Sequence, residues 1–266
     1  MYTSPVQRIL VPVDLSDFSD LAMQFALLSQ KKLGSQITVM YAEEFTYVFT
    51  GEYPIGYYFE DVGEMKKHTS KLLHKWITEH VPSTCPVATM IVDDFPARAI
   101  VRTADDVNAD LIIMGTHGRH GIRRAILGSV TERVLRETER PVLTVVPDQF
   151  GSGEVAIGKI LCPVNYTPVS DAAAQYARVL GGWFGVEVKP VNVPEGDAAQ
   201  QILQSANDEG FDLIVVGAQH KFFSDATVIG TTTERITRFA RQPVLTIVRR
   251  AVAQKEVKHE ALAVVA

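Results

Sequence analysis

Cysteine is nearly absent: Cys85 and Cys162 are the only two in 266 residues. One pair cannot staple a chain of this size, and neither stands at metal-ligand spacing, so a disulfide framework and a cysteine-based metal site are set aside. Cys162 lies in the apolar run ILCPV, where a packed thiol is expected. An excess of positive charge is absent too. The formal net charge is −5, so no overall basic field draws nucleic acid or an acidic membrane. No apolar run is long enough to span a bilayer. The opening MYTSPVQRILVPVDLSD has no long apolar stretch behind a basic start, so no secretory signal is expected. Together these absences point to the cytoplasm. What is present, 46% hydrophobic and 21% charged residues, suffices to bury a real core.

The chain repeats itself. RILVPVDLSDFSDLAMQFA near the start resembles KILCPVNYTPVSDAAAQYA from Lys159, ADLIIMGTHG resembles FDLIVVGAQH, and RPVLTVVP resembles QPVLTIVR. Ile9 and Ile160, Asp14 and Asn165, and Gly34 and Gly185 lie 151 positions apart. Gly115 and Gly217, Gly128 and Gly230, and Pro141 and Pro243 lie 102 apart. The second copy is therefore shorter, and the loss falls just after its first helix. DQFGSGEVAIG between the copies is polar and Gly-containing, as a linker is.

Within copy one, RILVPVD is a nearly continuous apolar run, as a strand buried on both faces would be. Ser16 is the expected N-cap of a helix ending near Leu33, with Phe18, Leu21, Ala22, Phe25 and Leu28 at helical spacing and Gly34 at C′. QITVMYAEE follows as a strand, and Val62, Met65, Thr69, Leu72, Leu73 and Trp76 mark a second amphipathic helix. VATMIVD, a helix from about Pro96 to Val107, ADLIIMG, a helix from Ser129 and PVLTVVP complete a βαβαβαβαβ order. Copy two lacks one strand and the helix beside it. Such alternation predicts an α/β fold with two doubly wound, open, mostly parallel sheets.

MGTHGRHGIRRAILGSVTERVL is the most specific segment. It follows a strand and ends by opening a helix. Gly115 and Gly118 permit sharp turns and close approach of a ligand. Gly128 and Ser129 precede free helix-start amides, which attract anions, and Ser129 adds a hydroxyl. Such a site would lie at the carboxyl ends of strands. The segment is neither a P-loop nor the dinucleotide fingerprint, and glycines at strand ends also serve simply as turns; both readings stand at this point. A carboxylate at Asp14 can accept from ribose hydroxyls or cap the following helix.

These residues resemble the universal stress protein family over nearly the whole chain. Its ATP-binding members carry Gly, two residues, Gly, nine residues, then Gly and Ser or Thr, and Gly115, Gly118, Gly128 and Ser129 match throughout. The resemblance implies a Rossmann-like fold of the adenine nucleotide alpha hydrolase type. It implies that Asp14 contacts the nucleoside and that Pro12, Val13, Ala42, Met114 and Val130 line the ligand. His117 lies within the same loop, which His120, Arg119, Arg123 and Arg124 make basic, either to steer polyphosphate or as a solvated loop. Any Mg²⁺ is expected to be held through the phosphates.

Residues 1–148 are then expected to form an ATP-binding domain, 149–153 a linker, 154–250 a shortened, degenerate domain and 251–266 a tail. Copy two has His220 for the second glycine and Asn165 for the acid, so it is expected to bind nucleotide poorly. It is expected to pack on copy one as an intrachain pseudo-dimer, final strand against final strand, with further homodimerisation and unidentified protein partners left open. The aromatic segment from Phe45 to Glu60 reads as a lid, a partner surface or self-packing. No nucleophile stands with a base and an orienter. The expected role is a nucleotide-responsive stress or regulatory module, the alternatives being a slow ATPase or self-phosphorylating protein and a nucleotide-free scaffold.

Overall fold

The computed structural model describes residues 6–43, 49–50, 53–54, 59–116, 127–146, 155–192, 197–218, 220–223 and 226–248. The first apolar run forms β1 (Arg8–Val13), in which Ile9, Leu10 and Val11 are buried. Helix α1 (Asp17–Leu33) follows and ends at Gly34, whose φ of 73° is the left-handed conformation that glycine adopts without strain. Then come β2 (Gln36–Glu43), the short hairpin β3 (Phe49–Thr50) and β4 (Tyr53–Pro54), and α2 (Phe59–His80). Strand β5 (Val87–Asp93), α3 (Pro96–Asp106), β6 (Leu111–Gly115), α4 (Ser129–Glu137) and β7 (Val142–Val145) complete the N-terminal half.

The C-terminal half repeats this with β8 (Lys159–Val164), α5 (Pro168–Phe184), β9 (Glu187–Asn192), α6 (Ala198–Asp208), β10 (Leu213–Ala218), α7 (Thr231–Phe239) and β13 (Val244–Val248). Counterparts of α2 and β5 are missing, as the offsets of the repeat require. A hairpin, β11 (His220–Phe223) and β12 (Ala226–Ile229), lies between β10 and α7, and β12 rests against α4 of the other half. The alternation of hydrophobicity did not announce either hairpin.

One nine-stranded sheet runs in the order β5-β2-β1-β6-β7-β13-β10-β8-β9. Every neighbouring pair is parallel except β7 and β13, which meet antiparallel with Val244 opposite Thr144, Leu245 opposite Leu143 and Thr246 opposite Val142. The fold is therefore α/β with a mostly parallel sheet, and the two expected sheets are joined at their final strands. Helices α1, α2 and α5 cover one face over a core that continues across the junction, from Phe25 and Trp76 to Tyr176 and Val215. On the other face the cores are separate. One gathers Ile100, Ile112 and Leu135, the other Ile202, Phe211 and Ile236.

The apolar positions of α2 divide. Leu73 and Trp76 are buried, whereas Met65 and Leu72 are 38% and 42% exposed. Residues 63–68 are all exposed, whereas Leu73 and Trp76 further along the helix lie on the core.

Candidate functional site

The chain runs from β1 outward to β2 and β5, then returns to the other side of β1 with β6. The strand order thus reverses between β1 and β6, and open α/β sheets form a ligand crevice at the carboxyl ends of strands at such a point. Pro12 and Val13 close β1, and Asp14 follows them. Met114 and Gly115 close β6. Ala42 is the penultimate residue of β2, the other neighbour of β1. Gly128 caps α4, and Ser129 and Val130 are its first two residues. These residues share the carboxyl edge around the reversal. Ser129 is exposed, Val13 and Met114 are buried, and Pro12, Asp14, Ala42, Gly115, Gly128 and Val130 are intermediate. His117 and Gly118, with Arg119, His120, Arg123 and Arg124, lie outside the described residues, as does most of the aromatic segment after Phe45.

Asp14 governs the turn into α1. Its Oδ1 accepts from the Ser16 amide at 3.2 Å, from Ser16 Oγ at 2.6 Å and from Ser19 Oγ at 2.7 Å. Its own amide donates to Ser19 Oγ at 2.9 Å. Between them Leu15 takes φ 62°, a conformation that a non-glycine side chain enters only when its surroundings hold it there. Ser16 holds the expected N-cap position but makes no side-chain cap bond, because its hydroxyl is committed to Asp14.

The start of α4 is tied to the end of β6 by two hydrogen bonds. The Gly128 amide donates to Thr116 O at 2.9 Å, and Thr131 Oγ1 donates to Gly115 O at 2.9 Å. Gly128 has φ −59°, so the backbone does not demand glycine there; what glycine supplies is the lack of a side chain. It can offer no side-chain acceptor to the first-turn amides, which is the donor set an anionic group fits. Among the described residues no group of three or more His, Cys, Asp or Glu side chains could hold a metal ion.

The C-terminal half builds the same scaffold. Asn165 Oδ1 accepts from the Thr167 amide at 3.4 Å and from Thr167 Oγ1 at 2.8 Å, and Tyr166 takes φ 57°. Thr233 Oγ1 donates to Gly217 O at 3.0 Å, the counterpart of Thr131 and Gly115. A Cβ on Gly217 would stand 2.6 Å from Val169 O and 2.8 Å from Val169 C, so packing alone requires glycine at this strand end. Cys162 is buried in β8, and burial pushes its thiol up to about 12, consistent with a packed thiol.

Several of these residues escaped the sequence reading. Thr131 and Thr233 share the 102-residue offset and could have been found from the repeat. Leu15 could not, because a left-handed leucine has no compositional signature. Glu43, at the end of β2, reads as an ordinary strand-end acid, yet it is 8% exposed and accepts from Thr69 Oγ1 at 2.5 Å.

Comparison with known proteins agrees with this architecture. The profile of the Universal stress protein family matches residues 5–146 and 184–249. The chain is 31% identical over 146 residues to the universal stress protein MJ0531 of Methanocaldococcus jannaschii, covering 52% of this chain and 81% of that one. It is 44% identical over 59 residues to MJ0577 of the same organism, covering 22% of this chain and 36% of that one, barely a third of that relative's length. Among solved structures, a universal stress protein from Archaeoglobus fulgidus aligns with a TM-score of 0.71 at 19% identity, over 93% of this chain and 100% of that chain; at this identity the likeness is one of fold.

Proposed function

The chain belongs to the universal stress protein family, and from that premise we propose that its N-terminal half binds one ATP at the β1–β6 reversal. The triphosphate lies along Gly115, His117, Gly118, Gly128, Ser129 and Val130, where helix-start amides and the Ser129 hydroxyl donate to phosphate oxygens. Asp14 accepts from the ribose hydroxyls, and Pro12, Val13, Ala42 and Met114 flank the base. Mg²⁺ accompanies the nucleotide through its phosphates. One observation carries this reading: three strand ends and one helix start, each holding residues of a single nucleotide-binding pattern, share the edge where strand order reverses.

The C-terminal half serves as the first half's partner and holds no nucleotide. Its β13 covers the edge of β7 that would otherwise be open to another chain. The whole acts as a nucleotide-responsive stress or regulatory module in the cytoplasm. Among the described residues no helix is long and apolar enough to cross a membrane.

Titration calorimetry of the full chain tests the proposal. The expected result is one ATP per chain, preference for ATP over GTP, and strong loss of binding in Gly118→Val, whose side chain blocks close backbone approach. Two equal sites per chain, equal affinity for GTP, or unchanged affinity in Gly118→Val overturns it.

A further inference from the structure

We propose that Glu43 and Thr69 form a positioning pair that sets the base-facing end of β2, so that α2 serves nucleotide selectivity as well as covering the sheet; this rests on the ATP reading above. Glu43 is the last residue of β2 and the chain neighbour of Ala42. Its carboxylate is buried, Thr69 Oγ1 donates to Oε1 at 2.5 Å, and no described residue donates to the buried Oε2. Burying a carboxylate with so few donors is unfavourable. A tie needed only to hold α2 on the sheet has a better solution on the same helix, the apolar contacts of Leu73 and Trp76. What a short hydrogen bond adds over apolar packing is direction: it fixes the separation and angle of the two elements, which an apolar contact leaves free to slide.

The level at which this bond sits matters. Residues 63–68 of α2 are exposed, and Thr69, which follows them, is half-buried. A second tie nearby, Lys66 to Asp93 at 4.0 Å, joins two half-exposed side chains and holds little in water. Asp93 stands opposite Glu43 in the β2–β5 pairing, so both ties close on the ends of β2 and β5. The backbone of Ala42 and Glu43 is thereby held in place, and a base is read through backbone groups only where these do not shift.

The repeat supplies an internal comparison. The C-terminal half lacks both α2 and β5, and Pro194 stands 151 positions beyond Glu43. That same half carries Asn165 and His220 in place of Asp14 and Gly118. Carboxylate and helix occur in the half that carries the full glycine pattern and are absent from the half in which that pattern is broken.

The test measures ATP and GTP affinities and melting temperatures of the full chain as wild type, Thr69→Val, Thr69→Ser and Leu73→Ala. Valine keeps the shape and removes the donor. The expected result is roughly tenfold weaker ATP binding in Thr69→Val, the loss of one hydrogen bond's positioning, with a smaller ATP-to-GTP preference. Thr69→Ser restores both. Leu73→Ala, which loosens α2 through its apolar contacts, lowers the melting temperature and leaves the preference intact. The pair is overturned if Thr69→Val keeps wild-type preference, or if it weakens both nucleotides equally and in step with its melting temperature, as a merely structural residue would. A wild-type chain that binds no ATP overturns the site reading itself, and the pair with it.

Discussion

Asp14 and Asn165 occupy equivalent turns in the two halves, and their hydrogen bonds separate what the fold requires from what it does not. Each side-chain oxygen accepts from the amide and hydroxyl two residues on, and each turn passes through a left-handed residue, Leu15 or Tyr166. The acid gathers a third donor, Ser19 Oγ, whereas the corresponding Ser170 hydroxyl donates to Thr167 O. Charged acceptors draw more and shorter hydrogen bonds, and the bonds at Asp14 are the shorter ones. The turn therefore forms around a neutral amide as well as around a carboxylate. Glycines divide likewise. Gly217 is required by the backbone of Val169. The second glycine of the loop, Gly118, is replaced by His220 in a half that folds without it.

The halves also share one sheet through β7 and β13, and a proline there tests whether their stabilities are coupled. Thr144 is buried in β7 opposite Val244, and its hydroxyl donates to Val244 O at 3.2 Å. Thr144→Pro removes a ladder donor at the junction and is expected to cost about 3 kcal/mol or more, read as a shift of the denaturation midpoint. An unchanged midpoint would mean that the two halves are stable separately. Gly217→Ala forces a methyl group into Val169 and is expected to cost about 1–3 kcal/mol of stability while ATP binding stays at the wild-type level. Loss of ATP binding in that variant would place a nucleotide in the C-terminal half and erase the contrast.

Asp14→Asn turns the first half's residue into the second's. It is expected to change stability by less than about 0.5 kcal/mol, since Asn165 builds the same turn, and to weaken ATP by about tenfold, or 1.4 kcal/mol. Calorimetry and thermal denaturation of one sample read both; a large stability loss with intact ATP binding would reverse the assignment. The smallest effect concerns Asp197, which caps α6 and pairs with Arg235 of α7 at 2.8 Å. The Arg235 guanidinium holds this carboxyl below its ordinary 3.8. The pair's contribution is therefore present above that pH and lost as pH falls through the lowered value. Arg235→Ala should be slightly less stable than wild type near neutrality, and the difference should fade in acid denaturation below pH 3.8. A difference that grows in acid would contradict the assignment.

The order of the helices and main-sheet strands, the two repeat offsets and the missing strand and helix followed from the sequence by itself, though not the two hairpins, because apolar periodicity and glycine placement record whether each residue is locally buried or must turn. The glycine pattern and Asp14 were visible for the same reason, as local motifs. Only the tertiary structure decided which elements meet. It set the register and antiparallel sense of the expected contact between β7 and β13, turned Ser19 Oγ toward Asp14, left Met65 and Leu72 exposed beside a buried Leu73, and buried Glu43 against Thr69. These outcomes depend on partners as far apart in the chain as Val142 and Thr246. Residue spacing along one strand or helix carries no information about what a neighbouring element places opposite it.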